Sequence, residues 1–515
     1  MALNPTPLIN FERNYRFRTK HQSFEGTAAR LYTVWNRTAN GTEPAQKRWR
    51  AGLNALRQIV LDAEAAGVSV RAYGGAWSLS DAAFTKDFLV NTKPLNYLSI
   101  GLRPAQVLPE EVKNAKRYVF AQCGIHVMEL QTALEAANLA LPTSGASNGQ
   151  TLAGAIATGT HGAAVQVGSM QDFVRGIHLV VEGGRHVYLE PRSRPVVSEA
   201  FVATLGAEMI RDDELFWAAL VSFGSFGLVH AFLVEAVPLY ELQKFRFRVD
   251  HSTAMGYFDL DFARIAAANQ LPPANPYHFE MVFDPYSGGA GKRGAYVTVM
   301  YQLPPKRGAP AAAPAASSGG WEPGDDVLQV LGALTDATSL PVPLLVSRLV
   351  EGQLSLVHGS RATPGKTFSS TSIRGSVLSA ELGVALSTAQ GAVEALIDEA
   401  NRQSFVGLIA TRFVRSSRAT LAFTRFEPTT CTIELPGTGG QSSLNFFAAA
   451  WARLDRQFLP FTLHFGQCGD FTRERVVRMH PTGVERWLAA RHRLLSSAGL
   501  RTFSNPFLER IGLAG

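Results

Sequence analysis

The chain has 515 residues, 46% of them hydrophobic and only 18% charged, against roughly 25% charged in an average soluble domain. That supplies a large core and excludes intrinsic disorder. The 49 Lys and Arg against 42 Asp and Glu leave a net charge of +7 without any run of five basic residues, so no concentrated stripe marks a nucleic-acid binder.

By length, two to four domains are expected. No stretch approaches the 18 or so apolar residues of a membrane span. The first twenty residues lack the apolar core of a signal peptide, and the three cysteines, Cys123, Cys431 and Cys468, form no CxxC. A cytoplasmic location follows as the expectation. Without a secretory signal, the sequons at Asn36 and Asn40 carry little weight.

In chain order, Trp49, Leu53, Leu56, Val60 and Ala63 recur at helical spacing and predict a helix over 46–66, stopped by Gly67. A strand over 68–73 runs into Gly74-Gly75-Ala76-Trp77-Ser78-Leu79-Ser80. Residues 88–91 and 118–122 read as short strands, 127–140 as an amphipathic helix, and Gly145 to Gly162 as the densest glycine segment of the chain. Two strands over 176–181 and 186–190 flank the hairpin signal Glu182-Gly183-Gly184-Arg185. Asp212-Asp213-Glu214 opens a helix, and 228–237 is a strand. This irregular mixture predicts an α+β fold rather than a regular βαβ repeat. Beyond about 242 come strands over 277–283 and 295–302, a flexible Pro/Ala/Ser/Gly-rich loop over 303–325, a helix near 379–402, a strand near 405–415 and a helix over 482–498.

Glycine allows positive φ and close backbone approach, so glycine turns can offer several N–H groups to a phosphate. Gly74–Ser80 alone is compatible with a plain tight turn. Gly145–Gly162 adds Thr151, Thr158 and Thr160 to small apolar residues, an apolar wall rich in donors that suits a flat, polyanionic cofactor; a purely structural loop is the alternative. Neither a Walker A loop around Gly291-Lys292 nor the Rossmann fingerprint GxGxxG opening a helix after the first strand is present.

Three segments together, Gly74-Gly75-Ala76-Trp77-Ser78, Leu141-Pro142-Thr143-Ser144-Gly145 and Gln150 through Gly162, resemble the FAD domain of the vanillyl-alcohol oxidase / p-cresol methylhydroxylase (PCMH-type) superfamily. Within it the chain resembles the sugar-lactone and alditol oxidases and type II cholesterol oxidase. Asp213–Ala219 and Gly224–Val229 resemble the end of that domain. Leu463–Gln467 resembles the branch's His-Trp-x-Lys motif, and Asn505–Leu508 its terminal tail. The resemblance implies FAD, held by Gly74, Gly75, Ala76, Trp77, Ser78, Ser80, Gly145, Thr151, Gly154, Ala155, Thr158, Gly159, His161, Gly162, Gly227 and Val229. It implies a PCMH-type FAD domain over 1–241 (core about 45–240), an antiparallel-sheet substrate domain over 242–455, and a segment, 456–515, returning to complete the flavin site. No metal is implied.

The departures are informative. The branch's flavin-linking histidine is Trp77 here, which cannot form that bond, so non-covalent FAD is expected. The Glu of a Glu-x-Arg pair is Ala410, with Arg412 retained, and the motif lysine is Gln467. Losing both disfavours a lactone or alditol and points to a less polar, secondary-metabolite substrate. Arg412, Glu280, His464 and Gln467 are the catalytic candidates, with Glu381 a weaker one that would start a helix. A surface-strand role for Glu280, a structural ion pair for Arg412 and a structural hydrogen bond for His161 are the plain alternatives. Gly145, at the place of the branch's oxygen-admitting small residue, favours O2 as electron acceptor. The expected activity is carbinol oxidation; the alternatives are oxidative decarboxylation or desaturation, with Arg412 holding a carboxylate, and a flavin-binding protein without catalysis.

Overall fold

In the computed structural model, residues 9–36, 44–287, 294–305, 342–373 and 375–515 are described. The Asn40 sequon, most of the glycine run at 288–294 and most of the 303–325 loop lie outside them.

Strands β1 (Ile9–Arg18), β2 (Glu25–Val34), β3 (Val70–Tyr73) and β4 (Phe88–Asn91) form a sheet in the order β1-β2-β4-β3, the first pair antiparallel and the others parallel. The β1–β2 hairpin has no counterpart in the sequence reading; its outer strand is mostly exposed, so no apolar alternation marks it. Next come β5 (Leu98–Ile100), β6 (Tyr118–Gln122), β7 (Leu139–Ala140), β8 (Val174–Val180), β9 (His186–Glu190), β10 (Glu208–Arg211), β11 (Leu228–Glu235) and β12 (Val237–Pro238). Six of these make a sheet in the order β10-β9-β8-β11-β6-β5, while β7 pairs with β12.

The helix Ala45–Ala66 lies on this sheet and is closed by Gly67 at φ 65°. Its Leu56, Ile59 and Val60 are fully buried, each burial contributing about 1.5–3 kcal/mol. Beneath its Trp49 and Gly52 runs a polar ladder across four strands. Gln122 Nε2 meets His230 Nε2 at 2.9 Å, His230 Nδ1 meets His178 Nδ1 at 3.1 Å, and His178 Nε2 meets His186 Nδ1 at 3.0 Å.

From Glu241 onward every described strand joins a second body of sheet. Strands β13 (Glu241–Val249), β14 (His278–Phe283), β15 (Ala295–Leu303), β16 (Val357–Ala362), β17 (Val377–Ala385), β18 (Ile409–Arg415), β19 (Thr429–Thr438) and β20 (Phe461–Leu463) form eight antiparallel strands in the order β16-β13-β15-β14-β18-β19-β17-β20. The α+β class stands, with antiparallel sheet in the second lobe.

Three boundaries differ from the sequence reading. The expected helix near 379–402 is β17 followed by a helix over Leu386–Gln403; β17 lies inside the sheet, buried on both faces, so its Ala, Leu and Glu do not alternate visibly by polarity. The helix from Val127 ends at Ala136, where Asn138 at φ 59° turns the chain into β7. The helix expected over 482–498 breaks into Gly483–Leu494 and Ser497–Thr502, because Ser496 caps a new N-terminus by accepting from Gly499 N–H.

The chain's end packs back on the first lobe. Trp487 Nε1 donates to Val221 O at 3.2 Å, and Asn505 Nδ2 donates to Ala82 O and Phe84 O at 3.1 and 2.8 Å.

Candidate active site

Strand β3 runs out at Tyr73 into the turn Gly74–Leu79, which packs against the start of the second glycine segment. A Cβ on Gly74 would lie 1.9 Å from Thr151 Oγ1, and one on Gly75 would lie 2.9 Å from Gly149 O. Only glycine permits that approach. Ala76 takes φ 51° and its carbonyl accepts from Lys20 N–H at 2.8 Å. Among the described residues, the N–H groups of Gly75, Ala76, Trp77 and Ser78 find no acceptor, leaving a row of donors of the kind that binds anions. The next N–H, of Leu79, donates to Gly466 O at 2.8 Å, and Ser80 Oγ donates to Phe465 O at 2.7 Å. The turn is thereby tied to the segment from the end of the chain.

Thr151 caps the short helix Leu152–Thr158 by accepting from Gly154 N–H, and Gly159 at φ 86° ends it. Thr151, Gly154 and Thr158, with Ala153 and Ala157, share one face at helical spacing and line a cavity. The space between atoms there is about 1540 Å³, open mouth included.

The cavity's other end is charged. Register places Arg412 on β18 opposite Glu280 on β14, and Glu434 on β19 opposite both Ala410 and Glu381. Arg412 Nε donates to Glu280 at 2.9 Å, Arg412 Nη1 donates to Glu434 at 2.7 Å, and Glu381 stands 3.7 Å from Nη1. These carboxylates outweigh burial and hold the guanidinium firmly charged, its pKa raised. Ser379 Oγ donates to the other oxygen of Glu434 at 3.0 Å.

Glu381 also meets His161 Nε2 at 2.9 Å and accepts from Gln467 Nε2 at 3.3 Å. His161 Nδ1 faces Gly162 O at 2.8 Å. Both ring nitrogens therefore face oxygen atoms. Against the cost of burial, His161 is the largest influence holding the Glu381 carboxyl down at about 2. His464 Nδ1 accepts from Gly466 N–H at 3.1 Å, and burial pushes the ring down to about 4. The neutral ring thus carries its proton on Nε2 and is a donor.

Of the sequence candidates, Gly74, Gly75, Ala76, Trp77, Ser78, Gly145, Thr151, Gly154, Thr158, His161, Gly227, Val229, Arg412, His464 and Gln467 line the cavity. Five do not. Ser80 ties the turn to Phe465, Ala155 is on the helix's buried side, and Gly159 is the helix stop. Gly162 lets the chain pass Thr143 and Ser144, since a Cβ there would lie 2.3 Å from Thr143 Oγ1. Glu280 is off the cavity wall and grips Arg412 instead.

The sequence reading missed Glu434 and undervalued Glu381, both on the wall. The alternation Thr430, Thr432, Glu434 was the available signal for the first; the second was hidden by taking β17 as helix. It also missed His21, from the β1–β2 turn, whose Nδ1 is buried without a partner among the described residues, as is Gln467 Oε1. Cys123 lines the wall too, its thiol pushed up to about 12 by burial.

A family model described as an FAD binding domain matches residues 52–190. D-arabinono-1,4-lactone oxidase of Yarrowia lipolytica is 24% identical over 227 residues, 44% of this chain and 37% of that protein. Alditol oxidase of a Streptomyces species is 30% identical over 163 residues, 31% of this chain and 33% of that protein. The chain thus matches these relatives over about a third of their length. Cholesterol oxidase from B. sterolicum shares the fold with a TM-score of 0.68 at 12% identity, covering 99% of both chains.

The residues fit the cofactor this family model names. The row of free N–H groups suits a diphosphate, the glycine wall leaves room for a long dinucleotide, and unpartnered His21 Nδ1 and Gln467 Oε1 are available to it. Residues 52–190 therefore match an FAD binding domain that covers the glycine cradle, and the whole chain shares the fold of cholesterol oxidase.

Proposed function

We propose that the protein is an FAD-dependent oxidase that takes hydride from the carbinol carbon of an uncharged, hydroxyl-rich small molecule and passes the electrons to O2. The observation that carries this reading is the charged end of the cavity. There one guanidinium is held by carboxylates from neighbouring strands, beside a histidine donor and an amide. The carboxylate lost at Ala410 is supplied from the adjacent strand by Glu434. The expectation of a less polar substrate rested on this loss together with that of the motif lysine; with the carboxylate restored and the amide of Gln467 at the lysine's place, it is not carried forward. The lactone and alditol oxidases among the relatives are named for hydroxyl-rich substrates.

FAD, when bound, supplies the two-electron acceptor for the hydride. His464 Nε2–H donates to the substrate oxygen, and Gln467 orients it. Arg412 holds Glu434 in place, and Glu434 takes the hydroxyl proton. Glu381 is already engaged by His161 and Gln467, and His161 holds its carboxyl well below the usual range, which disfavours it for that role. Residues 1–241 hold the cofactor, 242–455 supply the charged end of the substrate site, and 456–515 close it and add His464 and Gln467. Trp77 offers no atom for a flavin bond, and burial keeps the Cys123 thiol protonated, which supports non-covalent FAD.

Oxidative decarboxylation needs a cation free for the substrate carboxylate. Two of the Arg412 nitrogens are already bonded to glutamates and a third glutamate stands nearby, so a carboxylate would be repelled. An anaerobic screen of sugars, lactones, alditols, sterols, phenolic alcohols and acyl-amino acids against the flavin-loaded protein tests the reading. Bleaching by hydroxylated neutral compounds supports it. Bleaching only by carboxylates, with release of CO2, would replace it, and no bleaching at all would favour a non-catalytic flavin binder.

A further inference from the structure

Two arginines of the first lobe and the returning C-terminal segment are buried without a counter-charge. Arg71, on β3, is fully buried and makes one hydrogen bond, Nη1 donating to Phe223 O at 2.8 Å. Its Nε and Nη2 have no partner among the described residues. Arg491, on the helix Gly483–Leu494, is likewise fully buried. It donates only to carbonyls: Ser225 at 3.0 Å, Leu500 at 2.9 Å, and those of Phe503, Leu513 and Ala514. Neither forms an ion pair with a carboxylate among the described residues. Burial pushes Arg71 down to about 9, with Arg491 adding to the effect, and pushes Arg491 itself down to about 10.

Buried cations without partners cost free energy, because desolvation is not repaid by an opposite charge. Their position says what would repay it. Both hold the turn Ser222–Gly227, through Phe223 O and Ser225 O, and Phe223, Gly224 and Gly227 of that turn line the cavity. A Cβ on Gly224 would stand 3.5 Å from Arg71 Nη1. Three residues beyond Arg71, the chain enters the Gly74–Ser78 turn with its free N–H groups. The cavity thus has donors on one wall and two uncompensated charges close behind another.

We infer that Arg71 and Arg491 form a buried cationic platform whose counter-charge is the diphosphate of the bound dinucleotide. They act through the protein as positioning residues, since neither is on the cavity wall. Across a low-dielectric interior, their attraction for a diphosphate is screened far less than it would be in water. The sequence tolerates the unpaired charges in the apoprotein because the cofactor neutralises them. This rests on the FAD assignment and not on oxidase activity.

The test is binding of ADP and FAD to the apoprotein by calorimetry at fixed ionic strength, comparing wild type with Arg71→Met and Arg71→Lys. Arg71→Met is expected to bind both at least about tenfold more weakly, and Arg71→Lys to retain most of the affinity. The melting temperature of the Arg71→Met apoprotein is expected to equal or exceed that of wild type, because an unpaired buried charge has gone. Unchanged ADP affinity in Arg71→Met would overturn the inference. So would equal losses in the two variants, which would mark a merely structural role. Should Arg71→Met not fold, inorganic pyrophosphate alone must raise the melting temperature of the wild-type apoprotein, and no rise overturns the inference. Loss of turnover with cofactor binding intact would count against the proposed oxidase reaction only.

Discussion

The histidine ladder beneath Trp49 makes the first lobe sensitive to acid. His178 and His230 are fully buried, and burial pushes His230 down to about 3 and His178 well below its ordinary value. Both are neutral in the fold, whereas in the unfolded chain they titrate near 6.5. The folded values are depressed, so their contribution is fully present above pH 6.5 and is lost as the pH falls below it, the unfolded state taking up the protons. At pH 5 each forfeits about 2 kcal/mol, being 1.36 kcal/mol per unit over about 1.5 units. The pair therefore forfeits about 4 kcal/mol, a large part of the roughly 5–15 kcal/mol typical of a folded protein. Burial acts in the opposite direction on Asp172, raised to about 6, but that effect is common to wild type and variant. Urea unfolding followed at pH 8, 7, 6 and 5 gives the slope for wild type and for His178→Asn combined with His230→Gln. The variant should start less stable and fall less steeply, the difference between pH 8 and 5 shrinking by about 4 kcal/mol. Parallel slopes would refute the reasoning, because they would mean that these imidazoles titrate in the fold as they do in the unfolded chain.

Three further outcomes are expected. Acid precipitation of the flavin-loaded protein should release the yellow chromophore into the supernatant; colour retained in the pellet would show a covalent bond that Trp77 cannot make. Glu434→Ala should lower kcat by about 10²–10⁴ while FAD binding measured by fluorescence quenching is kept, and a kcat within a few-fold of wild type would remove Glu434 as proton acceptor. Gly75→Val should abolish FAD binding, since its Cβ would lie 2.9 Å from Gly149 O at the head of the donor row; a variant that binds FAD as wild type does would show that the row is not the diphosphate site.

The cofactor half of the site is written in local sequence and the substrate half is not. Gly74, Gly75, Gly145 and Gly154 are close in sequence to the strands and helix they serve; Gly74 and Gly75 are demanded by approaches that a side chain would block, and Gly145 and Gly154 leave 3.2 Å for a Cβ. Their type and spacing are therefore readable one segment at a time. Arg412, Glu434 and Glu381 meet only through the order β18-β19-β17, and nothing in 377–385 announces a strand, because both faces are buried. A helix there would turn Glu381 to solvent; the strand aims it at His161, 220 positions away in sequence. Glu280 shows the converse. It was legible as an acid among apolar residues on a strand, but only the register with Arg412 shows that it braces the site from behind the wall. His21 and the two buried arginines are invisible for a similar reason. What makes them unusual is a missing partner for His21 and Arg71 and a missing counter-charge for both arginines, and that is a property of the fold.

The oxidase reading is tested most directly by admitting oxygen after reduction. The flavin-loaded protein is bleached anaerobically with an equivalent of an active hydroxylated substrate and then mixed with air-saturated buffer. The account predicts rapid return of the oxidised flavin spectrum, one H2O2 formed per substrate consumed, and no CO2. A flavin that stays reduced in air, or CO2 released in proportion to bleaching, would contradict it.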